Sequence, residues 1–373
     1  MADATYPYAP YLRNELINRQ ALSSAAAAGR RSLIEAMLIR SSEERLGMEG
    51  YPPELSMYEC LLRATGLHRL VGLEAWEFGG PPAEDPARLR PSWAVLGDIV
   101  FADPPEPRPV TAIFATLGAP PYGITEGVLP VLLCAFILAN SKEVTLYREG
   151  TFVTEPAIAD FEVLMRRPEL FAVAGCRVTG ARAAVVKRLA SGLGAEAAVV
   201  PVVRALFKMV KGLPDHAWKT RRLPPTVLML RDAFSRARSP ERLLFKEIPS
   251  ALGESVVDAG MDAAAVEHLF EVLNAALQRW AAATPTTIAT VRDALLESCG
   301  MPVGDEGWSA LVEQAPSLAS RTTHPRLSTF LHRMATPGDG QSALESVLAF
   351  LADKPPRTWT DEDARLCLTE ARN

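Results

Sequence analysis

The sequence predicts a mainly α fold, a multi-helical chain with a winged-helix-like unit that carries one short β-hairpin. Three observations predict it. Thirty prolines divide the 373 residues into medium-length amphipathic stretches. Aromatic residues make up only 7% of the chain, and no alternating β-branched run occurs outside one hairpin. Residues 120–153, PPYGITEGVLPVLLCAFILANSKEVTLYREGTFV, run an apolar helix straight into that hairpin.

From the N-terminus, Ser23 and Ser24 open a helix through about Arg40 that carries Leu33, Ile34, Met37 and Leu38 on one stripe. A second helix, about Leu55 to Thr65, follows Pro52-Pro53 and is stopped by Gly66. After the loop Gly79 to Asp85, a third places Trp93, Leu96, Ile99 and Val100 on one face, with Gly97 as a weak point. The stiff connector Asp103 to Pro109 ends a first helical domain, 1–105.

The winged-helix-like unit, 106–175, leads with Val110 to Leu117. From Val128 to Ala139 its next helix is apolar all round except at Pro130, which falls in the first turn, where its missing N–H costs nothing. A helix that reads a major groove offers polar side chains to base edges; this one offers none, and its composition says it is buried. Leu132→Asp or Leu133→Asp is therefore expected to unfold the unit. Val144 and Leu146 alternate as a strand, and Arg148-Glu149-Gly150 reads as a three-residue loop with Gly150 left-handed before Thr151 to Val153 return. Thr154 is placed as the cap of a helix through about Arg166, and Leu170 to Val173 as a short strand.

Residues 176–253 read as a basic helical unit with helices at Gly180–Gly192, Ala195–Val210, Pro225–Arg238 and Pro240–Leu252, the last capped by Ser239. Residues 254–373 read as an acidic helical region. Its helices run from about Asp262 to Ala283, Thr286 to Cys299, Trp308 to Gln314, Leu327 to Met334 and Ser342 to Ala352, with TPGDG (336–340) as a separating loop. Thr360 followed by Asp361, Glu362 and Asp363 is a helix start, and the short stretch after it reads as a truncated element.

The overall charge of −5 argues against a general nucleic-acid binder, yet the charge is segregated. Residues 1–139 carry 11 basic and 16 acidic groups, residues 140–250 carry 19 and 11, and residues 251–373 carry 9 and 17. A basic middle between acidic flanks suits pairing of the chain's own segments or contact with a phosphate backbone. The five cysteines, at 60, 134, 176, 299 and 367, form neither a CxxC nor a Cys/His cluster, so no metal is expected. Their odd number and the lack of a signal peptide point to a reducing, cytoplasmic setting. The longest apolar run falls well short of the roughly 20 residues that span a bilayer, so no membrane partner is expected.

No G-x-x-x-x-G-K-[ST] motif occurs, so the chain alone is not expected to hydrolyse ATP, and no cofactor is expected. Gly192-Leu193-Gly194 with Ala197 scans as G-x-G-x-x-A but follows a helix, where a C-cap explains it. The histidines, at 68, 216, 268, 324 and 332, show neither HExxH nor an i,i+4 pair, and no catalytic residue emerges. One cluster stands out: Lys208, Lys211, Lys219, Arg221 and Arg222 around the turn Gly212-Leu213-Pro214, with Trp218 among them. Basic groups beside an exposed aromatic suit phosphate contact and base stacking. The competing reading is a solvated face, or a dock for the acidic C-terminal third.

Several phrases together resemble one family: RNELIN (13–18) with LSSAA (22–26), EGYPPE (49–54), PYGI (121–124), YREGTFV (147–153), LLF (243–245) and WTD (359–361). The chain resembles the C-terminal, non-ATPase region of the large P-loop ATPases of bacteriophage-exclusion (BREX) and related defence systems (BrxC/PglY-like), over nearly its whole length. It departs from them in lacking the ATPase domain, so no ATPase residue carries over. The resemblance implies a helical regulatory or assembly region of an ATP-driven, DNA-associated phage-defence complex, with the ATPase or other subunits as partners. The alternative is a DNA-binding winged-helix module that uses the basic segment around 204–222. An enzyme whose site is assembled from scattered residues is the third reading.

Overall fold

A computed structural model describes residues 5–72, 75–103, 105–258, 260–335 and 340–372. It is mainly helical, with short strands in small antiparallel sheets. The expected 336–340 loop lies, but for Gly340, outside the described residues. The chain divides into two compact units, Met1–Ala205 with Ala237–Phe245 and Asp258–Met261, and Leu206–Arg236 with Lys246–Val257 and Asp262–Asn373.

The first unit begins with α1 (Ser24–Ile39), whose N-cap Ser23 accepts the Ala26 N–H at 3.2 Å. Helix α2 (Pro53–Tyr58) continues as a wider turn through Arg63. A hairpin that the sequence reading missed follows, β1 (His68–Val71) against β2 (Ala75–Phe78). Its anchor is His68, 1% exposed, whose Nδ1 accepts the Tyr58 hydroxyl at 2.9 Å while Nε2–H donates to the Ser41 carbonyl at 2.9 Å. The rings of Trp76 and Phe78 cover it, with centroids at 5.2 and 4.7 Å. A neutral imidazole satisfied at both nitrogens explains a polar residue in this core, and burial lowers its pKa.

Then come α3 (Arg90–Val100), β3 (Arg108–Pro109), α4 (Val110–Gly118), α5 (Leu129–Ala139), β4 (Val144–Arg148), β5 (Thr151–Phe152), α6 (Ile158–Arg166) and β6 (Phe171–Gly175). The sheet order is β3-β6-β4-β5, antiparallel throughout. Helix, strand, two helices and returning strands follow the winged-helix order. The strand that completes the sheet beside β4 is β6, however, so the wing between β4 and β6 is enlarged to include β5 and α6. The β4–β5 turn differs from the expected three-residue loop. Arg148 pairs with Thr151, and Glu149 and Gly150 both have positive φ, at 50° and 76°. That is the type I′ geometry that matches strand twist. Helix α6 starts at Ile158, beyond Thr154, and the Asp160 carboxylate accepts the Ala157 N–H at 3.1 Å; Thr154 caps nothing, its carbonyl instead accepting Arg204 Nε–H at 3.1 Å.

Nine of the eleven residues of α5 are buried, because α1, α6, β2 and β4 pack around it. Trp93 and Phe101 close on Phe136, with centroids at 5.1 and 6.4 Å. The resulting core runs without a break from Leu12 to Val173. The boundaries expected at 105/106 and 175/176 therefore fall inside one unit, since the apolar stripe of α1 finds its partner surface in the winged-helix elements. Residues 176–253, expected as one unit, are shared between both units. One close approach is testable. A Cβ on Gly127 would collide with the Ile17 carbonyl oxygen, so Gly127→Ala must shift backbone and is expected to cost about 1–3 kcal/mol by the measure of overpacked sites. Urea unfolding checks this, and an unchanged midpoint would mean that this loop yields freely.

Helix α7 (Gly180–Leu193) ends at the left-handed Gly194, which confirms the C-cap in place of a dinucleotide loop. Helix α8 (Val199–Lys211) is followed by α9 (Asp215–Lys219), α10 (Pro225–Arg236) and α11 (Ile248–Leu252). The expected helix 240–252 starts as Pro240–Arg242, with Ser239 as N-cap, and is interrupted by a wider turn at Leu243–Glu247.

The second unit adds α12 (Ala263–Ala281), α13 (Ala283–Ser298), α14 (Asp305–Ala319), α15 (Pro325–Met334), α16 (Gly340–Ala352) and α17 (Asp361–Arg372). Their core runs from Ile288 to Ala371 around the fully buried Trp359. Thr360 and Asp363 form a reciprocal cap: Thr360 N–H donates to Asp363 at 2.7 Å and Asp363 N–H to the Thr360 hydroxyl at 3.2 Å. Among the described residues no helix is long and apolar enough to cross a membrane.

Candidate interaction site

The basic cluster lies within the second unit, on the end of α8, on α9 and on the extended segment that follows. Lys208, Lys211, Lys219, Arg221 and Arg222 are exposed. Lys211 sits with its ammonium 5.5 Å from the Phe207 ring centroid, and Lys219 pairs with Asp215 one turn earlier at 3.1 Å. Exposed pairs of this kind contribute about 0–1 kcal/mol.

Trp218 departs from the expected exposed stacking surface. It is half-buried, its indole N–H donates to the Val210 carbonyl at 3.1 Å, and its ring packs edge-on against Trp280 at 4.7 Å and 72°. Trp280 is 0% exposed and donates its own N–H to the Ala217 carbonyl at 3.0 Å. The aromatic residue among the lysines therefore fixes the turn from α8 into α9. The cations project from that fixed turn without a stacking platform between them.

What holds the extended segment is the first residue of α17. Asp361 accepts the Thr220 hydroxyl at 2.6 Å and the Arg221 backbone N–H at 2.8 Å. The Thr220 hydroxyl also accepts the Arg222 N–H at 3.1 Å, and its carbonyl accepts Arg231 at 2.6 Å. The segment that bears the basic cluster thus meets the acidic C-terminal region at Asp361, but not through the basic side chains that the sequence offered for such a dock. The hydrogen bonds use backbone and a threonine; of the arginine side chains, Arg222 adds its charge to the hold on Asp361. The signal for this pairing was the acidic first turn itself; nothing in the sequence linked it to residues 140 positions earlier.

Beside it His216, 1% exposed, shares a hydrogen bond with the Thr284 hydroxyl at 3.1 Å through Nδ1, and its Nε2 is buried without a partner. Burial lowers its pKa, Arg222 adds to the lowering, and Asp361 opposes it. At Asp361 partial burial pushes the pKa up, but the hydrogen bonds from Thr220 and Arg221 with the charges of Arg222 and His216 outweigh it and hold the carboxyl below its ordinary value.

Both shifts act in the same direction on stability. A group whose pKa is depressed by folding leaves the unfolded chain to bind the proton first, so stability is full above the ordinary pKa and lost as pH falls. His216 and His68 then predict a melting temperature level above about pH 7 that declines below about pH 6.5, with Asp361 adding a further loss below about pH 4. Thermal melting from pH 8 to 4 checks this. A melting temperature that rose between pH 7 and 5 would show the imidazoles to be stabilised as cations.

Among the described residues no group of His, Cys, Asp and Glu is placed to hold a metal ion. The five cysteines are unpaired; Cys134 and Cys367 are buried, and burial raises both thiol pKa values, that of Cys367 to about 12. No protein-family model, curated protein or solved structure matches the chain.

Proposed function

We propose that the chain is a non-catalytic regulatory and assembly module of an ATP-driven, DNA-associated phage-defence complex. The observation that carries the proposal is the burial of α5. In a DNA-reading winged helix this element lies in the groove; here its surface is spent on α1, α6, β2 and β4. A winged helix so enclosed serves as scaffold. The first unit instead offers exposed tyrosines, Tyr51 at 96% and Tyr11 at 54%, of the residue type enriched at protein interfaces. The defence context rests on the resemblance in the sequence.

The test is reconstitution with the P-loop ATPase encoded in the same locus. Co-elution on a sizing column and a changed rate of ATP turnover are expected, while the chain alone turns over none. Separate elution with an unaltered ATPase rate would overturn the proposal. A second reading, a DNA-binding module, is favoured by the exposure of Lys208, Lys211, Arg221 and Arg222.

A further inference from the structure

We infer that the second unit carries a binding cleft for a small organic phosphate monoester, between the segment after α9, the end of α12, α13 and α17. The cleft measures about 310 Å³, at the lower end of ligand sites. Two guanidinium groups line it, Arg222 and Arg279, together with Thr286, Thr287 and Thr290.

Neither arginine side chain has an ion-pair or hydrogen-bond partner among the described residues, and the hydroxyls of Thr286 and Thr287 have none either. Asp361, whose carboxyl feels the Arg222 charge, takes its hydrogen bonds from Thr220 and the Arg221 backbone and none from the Arg222 side chain. Two guanidiniums with their donors unused, lining one cleft with threonines, match a dianion with several acceptor oxygens better than a carboxylate, because each planar fork donates to two oxygens at once. The lining also includes the apolar Leu223, Pro224 and Leu368, which suit a compact hydrophobic body. Phosphate head and apolar body together define the ligand class. The cleft has no glycine-rich loop, so it is chemically distinct from a P-loop.

The inference goes beyond the assembly reading and is independent of it. Phenyl phosphate is the probe, with phenol and benzoate as controls, titrated calorimetrically into the full chain at 50 and 300 mM salt. Phenyl phosphate is expected to bind at least about tenfold more tightly than either control, and more weakly at high salt. R279Q and R222Q are each expected to reduce its affinity by about tenfold, the loss of one charge-assisted contact. Arg279 is exposed and unpartnered, so R279Q should melt as the unmodified chain does and keeps the test clear of misfolding. Affinity equal for phenol and phenyl phosphate, or unchanged in both variants, would overturn the inference. Displacement of phenyl phosphate by an oligothymidylate that binds more tightly would also overturn it, assigning the cations to a nucleic-acid strand.

Discussion

Leu133→Asp is expected to unfold the first unit. Leu133 is 1% exposed and Leu132 3%, both within the core that runs from Leu12 to Val173. No cation or donor lies on the apolar α5 to receive a carboxylate. Burying an unpaired charge there costs several kcal/mol, comparable to the roughly 5–15 kcal/mol that holds a domain together. Because α1, β2, β4 and α6 all close on this helix, no one of them can move aside without uncovering another face. Loss of the native circular-dichroism melt is the readout, with Ile39→Asp as control. Ile39 is 69% exposed, and its replacement is expected to stay within about 0.5 kcal/mol. Native melting of Leu133→Asp would show that α5 presents a face to solvent, and the helix would return as a reader of DNA or of a partner groove.

Trp280→Ala should be the most damaging substitution in the second unit. Its indole is fully buried, contacts Trp218 at 4.7 Å and Phe234 at 6.1 Å, and donates to the Ala217 carbonyl. Removing a buried tryptophan costs about 3–5 kcal/mol through transfer and cavity. The Ala217 carbonyl loses its donor as well, a further desolvation cost of about 1–3 kcal/mol. Trp280→Phe separates the two contributions, since it keeps most of the volume and loses only the hydrogen bond. Urea unfolding should rank alanine well below phenylalanine, and phenylalanine below tryptophan. Equal midpoints for all three would mean that α9 does not depend on this contact.

The features legible in the sequence were local. Ser23, Ser239 and Thr360 cap the helices that they were expected to cap, because an N-cap needs only its own next three residues. The uniform apolarity of residues 128–139 announced burial for the same reason. Features set by distant partners were not legible. Strands β1 and β2 hold four residues each, and their pairing depends on His68 finding Tyr58 and the Ser41 carbonyl, neither of which a periodicity marks. Trp218 reads as exposed among lysines until Trp280, 62 positions on, supplies a ring for it to pack against. Arg279 and the α13 threonines escaped notice because the cleft draws its lining from separate segments whose meeting only tertiary packing decides.

The proposed function has this winged-helix-like chain assemble with proteins and not read DNA. Fluorescence anisotropy of a labelled duplex and a labelled single strand, titrated with the chain at 50 and 200 mM salt, tests it most directly, alongside the triple reversal of Lys219, Arg221 and Arg222 to Glu. Negligible DNA affinity is expected before and after the reversal, while stability or complex formation with the ATPase suffers, since the Arg222 charge helps to hold Asp361 ionised and a glutamate there would repel it. Salt-sensitive, submicromolar binding by the unmodified chain, with a salt slope that falls by about one unit for each cation lost, would contradict it.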